Sequence, residues 1–345
     1  MNDRYILSKA HLKSFLRKVK KNHRIVAPVT NQHGDTLFCT ISHLDRVEVN
    51  LSEQALNSIK PFLFPQQDIL CTYTVDEDGY RFTENDAPPE PTVYLGVRPC
   101  DLMAVLYTDV IFMGGTKDKN YRARRQDSIL IGLNCNDPFP NCFCNATKSG
   151  PFLEYGYDLL LTDLGERYLV EVGRPRGREM LQDWIQFFTP AEEEDTRQQY
   201  QLSLEAMAKF RLNVHADQAI SRLQAGLVPE GVWEELSLRC QDCAGCAYVC
   251  PTCTCFTISD RKTDKQSGVR LRSWDACTFG GFTRMAGGHN PVNPRTGAIR
   301  QRFMHKLNYD VTQYGRPSCV GCGRCVGICF GGVDIVRFIG MAGED

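Results

Sequence analysis

The sequence has no run approaching the roughly 18–20 uninterrupted apolar residues that a membrane-crossing helix needs. Its N-terminal stretch, MNDRYILSKAHLKSFLRKVKKNHR, lacks the apolar core of a secretory signal. Membrane insertion and export are therefore not expected, and a cytoplasmic location is. Excess charge is lacking too. Lys and Arg total 40 against 41 Asp and Glu, a formal net charge of -1, so nothing global recruits nucleic acid or an anionic surface. Disorder-type bias is also missing: with 345 residues, 42% hydrophobic and 23% charged, the chain can build two or three cored domains.

What the sequence does have is cysteine, seventeen in all. An odd number cannot pair completely, and in a long chain without an export signal so many thiols argue for metal ligation or redox chemistry over disulfides.

The expected fold class is α+β in three parts: a strand-rich α/β domain over residues 1–177, a helical connector over 178–231, and a cysteine-rich part over 232–345 built like a two-cluster ferredoxin. A helix is predicted to open at Ser8, with Leu12, Phe15, Leu16 and Val19 as its apolar stripe. The segments RIVAPVT, TLFCTI, DILCTYTV, TVYLGV, SILIGLN, DLLLTDL and RYLVEVG, separated by turn-forming residues, read as strands. TVYLGV runs into Arg98-Pro99-Cys100-Asp101, where Asp101 is placed to cap the next helix, and SILIGLN runs into Cys135. The acidic run from Glu192 to Asp195 suits a helix start.

Eleven of the seventeen cysteines fall between Cys240 and Cys329. One run is Cys240-x2-Cys243-x2-Cys246-x3-Cys250-Pro251, the other Cys319-x2-Cys322-x2-Cys325-x3-Cys329. This is the spacing of bacterial ferredoxins, in which a tight loop supplies three thiolates to a [4Fe-4S] cluster and the fourth cysteine ligates the other cluster. By that rule Cys240, Cys243, Cys246 and Cys329 hold cluster one. Cys319, Cys322, Cys325 and Cys250 hold cluster two. Zinc also uses CxxC pairs, but two complete runs argue for clusters. Gly245, Gly321 and Gly323 are read as places where backbone passes close to a cluster. Phe330 stands where proline usually follows the fourth cysteine, and Cys253, Cys255 and Cys277 are nearby substitutes as ligands.

The insert between the runs, residues 256–318 after the CPTCTC segment, is locally basic. From Phe256 to Lys306 it holds ten Lys and Arg against three Asp and Glu. A solvated face and a docking surface for an acidic redox partner are equally good readings. Nucleic-acid binding is a weaker one, because regular aromatic interleaving is missing.

These residues resemble a known family. CQDCAGCAYVCPTCTCF, SWDACTFGGFTRMAGGHN with RQRFMHK, and CVGCGRCVGIC in the C-terminal part, together with GVRPCD, YRARRQDSILIGLNC and NCFCNATKSGPF in the N-terminal part, look like the beta subunit of cytosolic nickel-iron sulfhydrogenases. They are also similar to the A subunit of anaerobic sulfite reductases. The resemblance implies an electron-carrying subunit between a flavin- and NAD(P)-binding diaphorase subunit and a subunit that holds the catalytic nickel-iron centre. In keeping with that, the sequence has no paired CxxC motifs for nickel-iron and no GxGxxG after a strand, so FAD and NAD(P) are expected on a partner. The PVNPRTG segment departs from the family pattern, and His289 before it reads as an ordinary structural histidine.

Four further cysteines follow the family motifs: Cys100, Cys135, Cys142 and Cys144. Cys100 and Cys135 each follow a strand, and neighbouring parallel strands would bring their ends to one edge. A third iron-sulfur cluster and a set of small buried hydrophobes are both consistent with this, the second being what Cys39 and Cys71 are expected to be. Three functions compete: an electron relay in a multisubunit oxidoreductase, a self-contained iron-sulfur reductase whose N-terminal domain binds a substrate or flavin, and an iron-sulfur sensor. Two adjacent clusters count against the sensor.

Overall fold

The seven apolar segments all form strands in the computed structural model, which describes residues 3–84, 89–292 and 295–344. Asn293 and Pro294 of the PVNPRTG segment lie outside the described residues. The strands are β1 (Arg4–Ser8), β2 (Arg24–Thr30), β3 (Thr36–Thr40), β4 (Gln67–Asp76), β5 (Gly79–Glu84), β6 (Thr92–Val97), β7 (Ser128–Leu133), β8 (Leu159–Asp163), β9 (Arg167–Val172), β10 (Phe188–Pro190), β11 (Phe256–Lys262) and β12 (Ser267–Trp274).

Eight of them form one mixed sheet in the order β10-β1-β9-β8-β7-β6-β2-β3. Its centre is parallel, with β2 beside β6, β6 beside β7 and β7 beside β8. Every residue of β6 and β7 is buried, as parallel strands covered on both faces must be. Side-chain alternation divides them between two cores. Val93, Leu95, Ile129 and Ile131 face the helix Lys9–Val19, which buries Phe15, Leu16 and Val19. Tyr94 and Leu130 face the opposite core, with Leu102 and Val105 of the helix Pro99–Met113.

A second sheet has the order β11-β12-β4-β5. In it β12, from the insert between the cysteine runs, pairs antiparallel with β4, so residues about 200 apart in sequence share a ladder. Trp274 at the end of β12 is buried against Phe64 and donates its indole N-H to the Phe64 carbonyl at 3.1 Å.

From Pro175 to Arg239 the chain is mostly helical: Pro175–Asp183, Glu193–Ala208, Ala216–Gln224 and Glu230–Arg239. The acidic run starts the second of these through a capping box between Glu192 and Asp195, and Asp195 also pairs with Arg167. A third core joins these helices to the C-terminal part. Trp233, Phe303 and Phe338 meet in it, with Phe303 and Phe338 stacked at 4.3 Å. Two further helices, Arg295–Met304 and Ile335–Gly343, pack there.

Two local expectations are corrected. Asp101 does not cap the helix after β6: Arg98 holds the cap position, and the Asp101 carboxylate is taken by Arg324. Cys39 and Cys71 are half-buried rather than core residues, because β3 is the last strand of its sheet and the second sheet is partly open to solvent.

Candidate metal centres

Each fourth cysteine lines the cavity of the other run. Cys240, Cys243, Cys246 and Cys329 line one cavity of about 460 Å³ that opens to solvent. Cys319, Cys322, Cys325 and Cys250 line a second of about 350 Å³. The first run turns through left-handed Asp242 and Ala244 into the short helix Gly245–Tyr248. The second turns through left-handed Gly321 and Gly323 into Arg324–Ile328. Backbone N-H groups already point at the sulfurs: Asp242 donates to Cys240 Sγ at 3.5 Å and Val333 to Cys329 Sγ at 3.1 Å.

The four N-terminal cysteines also converge. Parallel pairing of β6 with β7 brings their C-terminal ends to one edge, and Cys100, Cys135, Cys142 and Cys144 line a third cavity of about 280 Å³ with Pro99, Pro138 and Pro151. Arg98 reaches into this site, its Nη1 lying 3.9 Å from Cys135 Sγ while Nη2 is fixed by the carbonyls of Leu51 and Glu53.

The second and third sites touch. Phe143, between Cys142 and Cys144, lines the second cavity, and its N-H donates to the Gly321 carbonyl at 2.8 Å. Cys100, Cys144, Val320 and Cys322 share one buried cluster. Gly321 and Gly323 are needed for this seam. A Cβ on Gly321 would lie 2.6 Å from the Cys144 backbone, and one on Gly323 would lie 2.3 Å from the Asn141 carbonyl oxygen. Both also have positive φ, +61° and +72°. At Gly245 the nearest atoms would be at 3.7 Å or more, so that glycine is not forced in the same way.

Among the described residues, no three His, Cys, Asp or Glu side chains close on a single metal ion. The thiols instead stand around cavities, which suits a cluster with its ligands at separate corners. The surroundings fit such a group as well. Arg302 is 3% exposed, lines both the first and second cavities, and has no hydrogen-bond partner at Nε or Nη1 among the described residues. Buried Thr278 lines the first cavity, its Oγ1 also without a partner among the described residues. Buried donors without acceptors are costly, and a cluster with its sulfides and thiolates is rich in acceptors.

Electrostatics agree. Burial pushes the thiols of Cys142 and Cys319 up to about 12 and that of Cys240 up to about 11. Iron must displace these protons, which positive metal charge does readily. Burial disfavours the Lys306 ammonium, but thiolate charge at Cys250 and Cys253, with Tyr107 and Cys319 adding to it, outweighs burial and holds Lys306 well above its ordinary value. Lys306 also donates to the Thr252 carbonyl at 3.3 Å and hydroxyl at 2.9 Å.

Buried cations are what the cysteine pattern does not reveal. All the readings of the basic insert, a solvated face, a docking surface or, more weakly, a nucleic-acid surface, put its charges outside, yet Arg272, Arg302 and Lys306 are buried. Arg272 pairs with Asp68 and Asp118, tying the second sheet to the N-terminal domain. Arg324 joins the second and third sites through a bidentate pair with Asp101 at 2.6 and 2.7 Å. Of the cysteines near the runs, Cys253 stands close enough to Cys250, and Cys277 close enough to Cys255, for each to shift the other's thiol: Cys250 and Cys255 are held down, Cys253 and Cys277 pushed up. His289 is exposed.

No helix of the described residues is long and apolar enough to cross a membrane. Residues 239–333 match the 4Fe-4S dicluster domain family. Sulfhydrogenase 2 subunit beta of Pyrococcus furiosus is 26% identical over 338 residues, covering 97% of this chain and 97% of that protein. With both cysteine runs inside the matched domain and the N-terminal part within the longer similarity, the chain is an iron-sulfur protein of a hydrogenase beta-subunit-like kind.

Proposed function

We propose that this chain is the electron-relay subunit of a cytosolic multisubunit oxidoreductase. It works between a partner that binds flavin and NAD(P) and a partner that holds a catalytic nickel-iron centre. The observation that carries this reading is contiguity. Three four-cysteine cavities lie in series, the first and second sharing Arg302 as a wall and the second and third sharing the Gly321 to Cys144 seam. Iron-sulfur clusters bound there supply one-electron chemistry.

The protein's part is to hold, insulate and expose. Buried Cys100, Cys144 and Cys322 keep water from the inner end. At the outer end Cys243 is exposed, and Ile328 and Phe330 border the first cavity, with Phe330 79% exposed. Exposed apolar side chains beside a redox site suit a face that a partner covers. The proline that usually follows a fourth cysteine would offer less apolar surface there.

The test is Cys243→Ala and Cys322→Ala in the complete complex, with iron content measured alongside turnover. Loss of iron with loss of electron transfer between partners is expected. Full turnover after the clusters are gone would refute the relay. Flavin bound to the isolated, anaerobically purified chain would instead point to the self-contained reductase.

A further inference from the structure

Arg302 occupies a position that the cysteine spacing does not anticipate. It lies on the helix Arg295–Met304, is 3% exposed, and forms part of the walls of both ferredoxin-type cavities. Two of its three guanidinium nitrogens, Nε and Nη1, have no partner among the described residues. The guanidinium has a ring contact with Phe303, whose centroid is 5.7 Å from the guanidinium carbon. Desolvating a permanent cation costs far more than such a contact returns. The site becomes reasonable once negative charge stands on both sides of it.

We propose that Arg302 is a counter-ion and hydrogen-bond donor shared by the two clusters, a single positioned cation that raises both reduction potentials. The inference rests on the assignment of one cluster to each cavity. Each cluster with its four thiolates carries net negative charge, and reduction adds one more. A fixed cation in a low-dielectric wall therefore stabilises the reduced form, and N-H donors to sulfur act in the same direction. Lys306, four residues on, lines the second cavity, is absent from the walls of the first, and already donates to Thr252. It is the natural control, with an effect confined to one site.

The experiment is an anaerobic redox titration followed by electron paramagnetic resonance on the full-length, iron-loaded chain. Couples are assigned by their loss in Cys243→Ala and Cys322→Ala. Arg302→Met with full iron content is expected to move both couples to lower potential, and Lys306→Met that of the second cavity alone. Both couples unchanged, or one moved and the other not, in iron-replete Arg302→Met would overturn the proposal. Should Arg302→Met fail to retain iron, Arg302→Lys decides. It keeps the charge but loses the planar fork, so smaller downward shifts of both couples support the proposal and unchanged potentials reject it. A wild-type chain with fewer than about eight irons would overturn the cluster assignment itself, a result visible before any titration.

Discussion

Single residues carry the proposed assignment of thiols to sites, and each can be tested. Cys329 borders the first cavity and Cys250 the second, each opposite the run it does not belong to in sequence. Cys329→Ala is therefore expected to remove about four irons per chain and the spectrum of the first site, leaving the second intact. Loss of the second spectrum instead would reverse the assignment. Asp101 offers a separate test on stability. Its carboxylate is fully buried on Arg324, so Asp101→Ala leaves an unpaired buried guanidinium and is expected to cost about 3–5 kcal/mol, read as a lowered unfolding midpoint. At this scale the sequence was informative about cysteines, because ligand spacing is local. It was silent about Arg302, Lys306 and the partner of Asp101, because the charges that meet them are brought together only by the fold.

The elements show the same division. β6, β7 and β8 were readable as strands from short apolar runs between turn residues, and the placement of Cys100 and Cys135 at one edge followed once β6 and β7 were parallel. β5 and β11 are weak signals in the sequence: most of β5 and all of β11 are exposed, and the apolar alternation of each, Tyr80 with Phe82 and Phe256 with Ile258, stops after two positions. The pairing of β12 with β4 joins distant segments and leaves no local mark. The seam between the second and third sites is also an element-scale feature, and it is testable. Gly321→Ala places a methyl against the Cys144 backbone at a residue with φ of +61°. Iron is expected to fall at the second and third sites together while the first keeps its own, as quantitative spectroscopy of each site would show. Equal loss at all three would mean that the substitution unfolds the chain rather than opening the seam.

Across the whole molecule, the two cysteine runs that resemble a small ferredoxin are one end of a longer arrangement. The mixed sheet presents Cys100, in the first turn of the helix Pro99–Met113, and Cys135, in a loop, at one edge, the NCFC loop adds two more, and the second run seats directly on that loop. The outer end reaches solvent at Cys243 beside Phe330. Phe330→Asp is accordingly expected to weaken electron exchange with the partner subunit while leaving iron content unchanged. Unaltered exchange would place the partner elsewhere. The account stands most directly on the third site. Iron and acid-labile sulfide, measured on anaerobically purified wild-type chain and on the Cys142→Ala/Cys144→Ala variant, should give about twelve irons falling to about eight. A wild-type value of about eight that the double substitution leaves unchanged would contradict it.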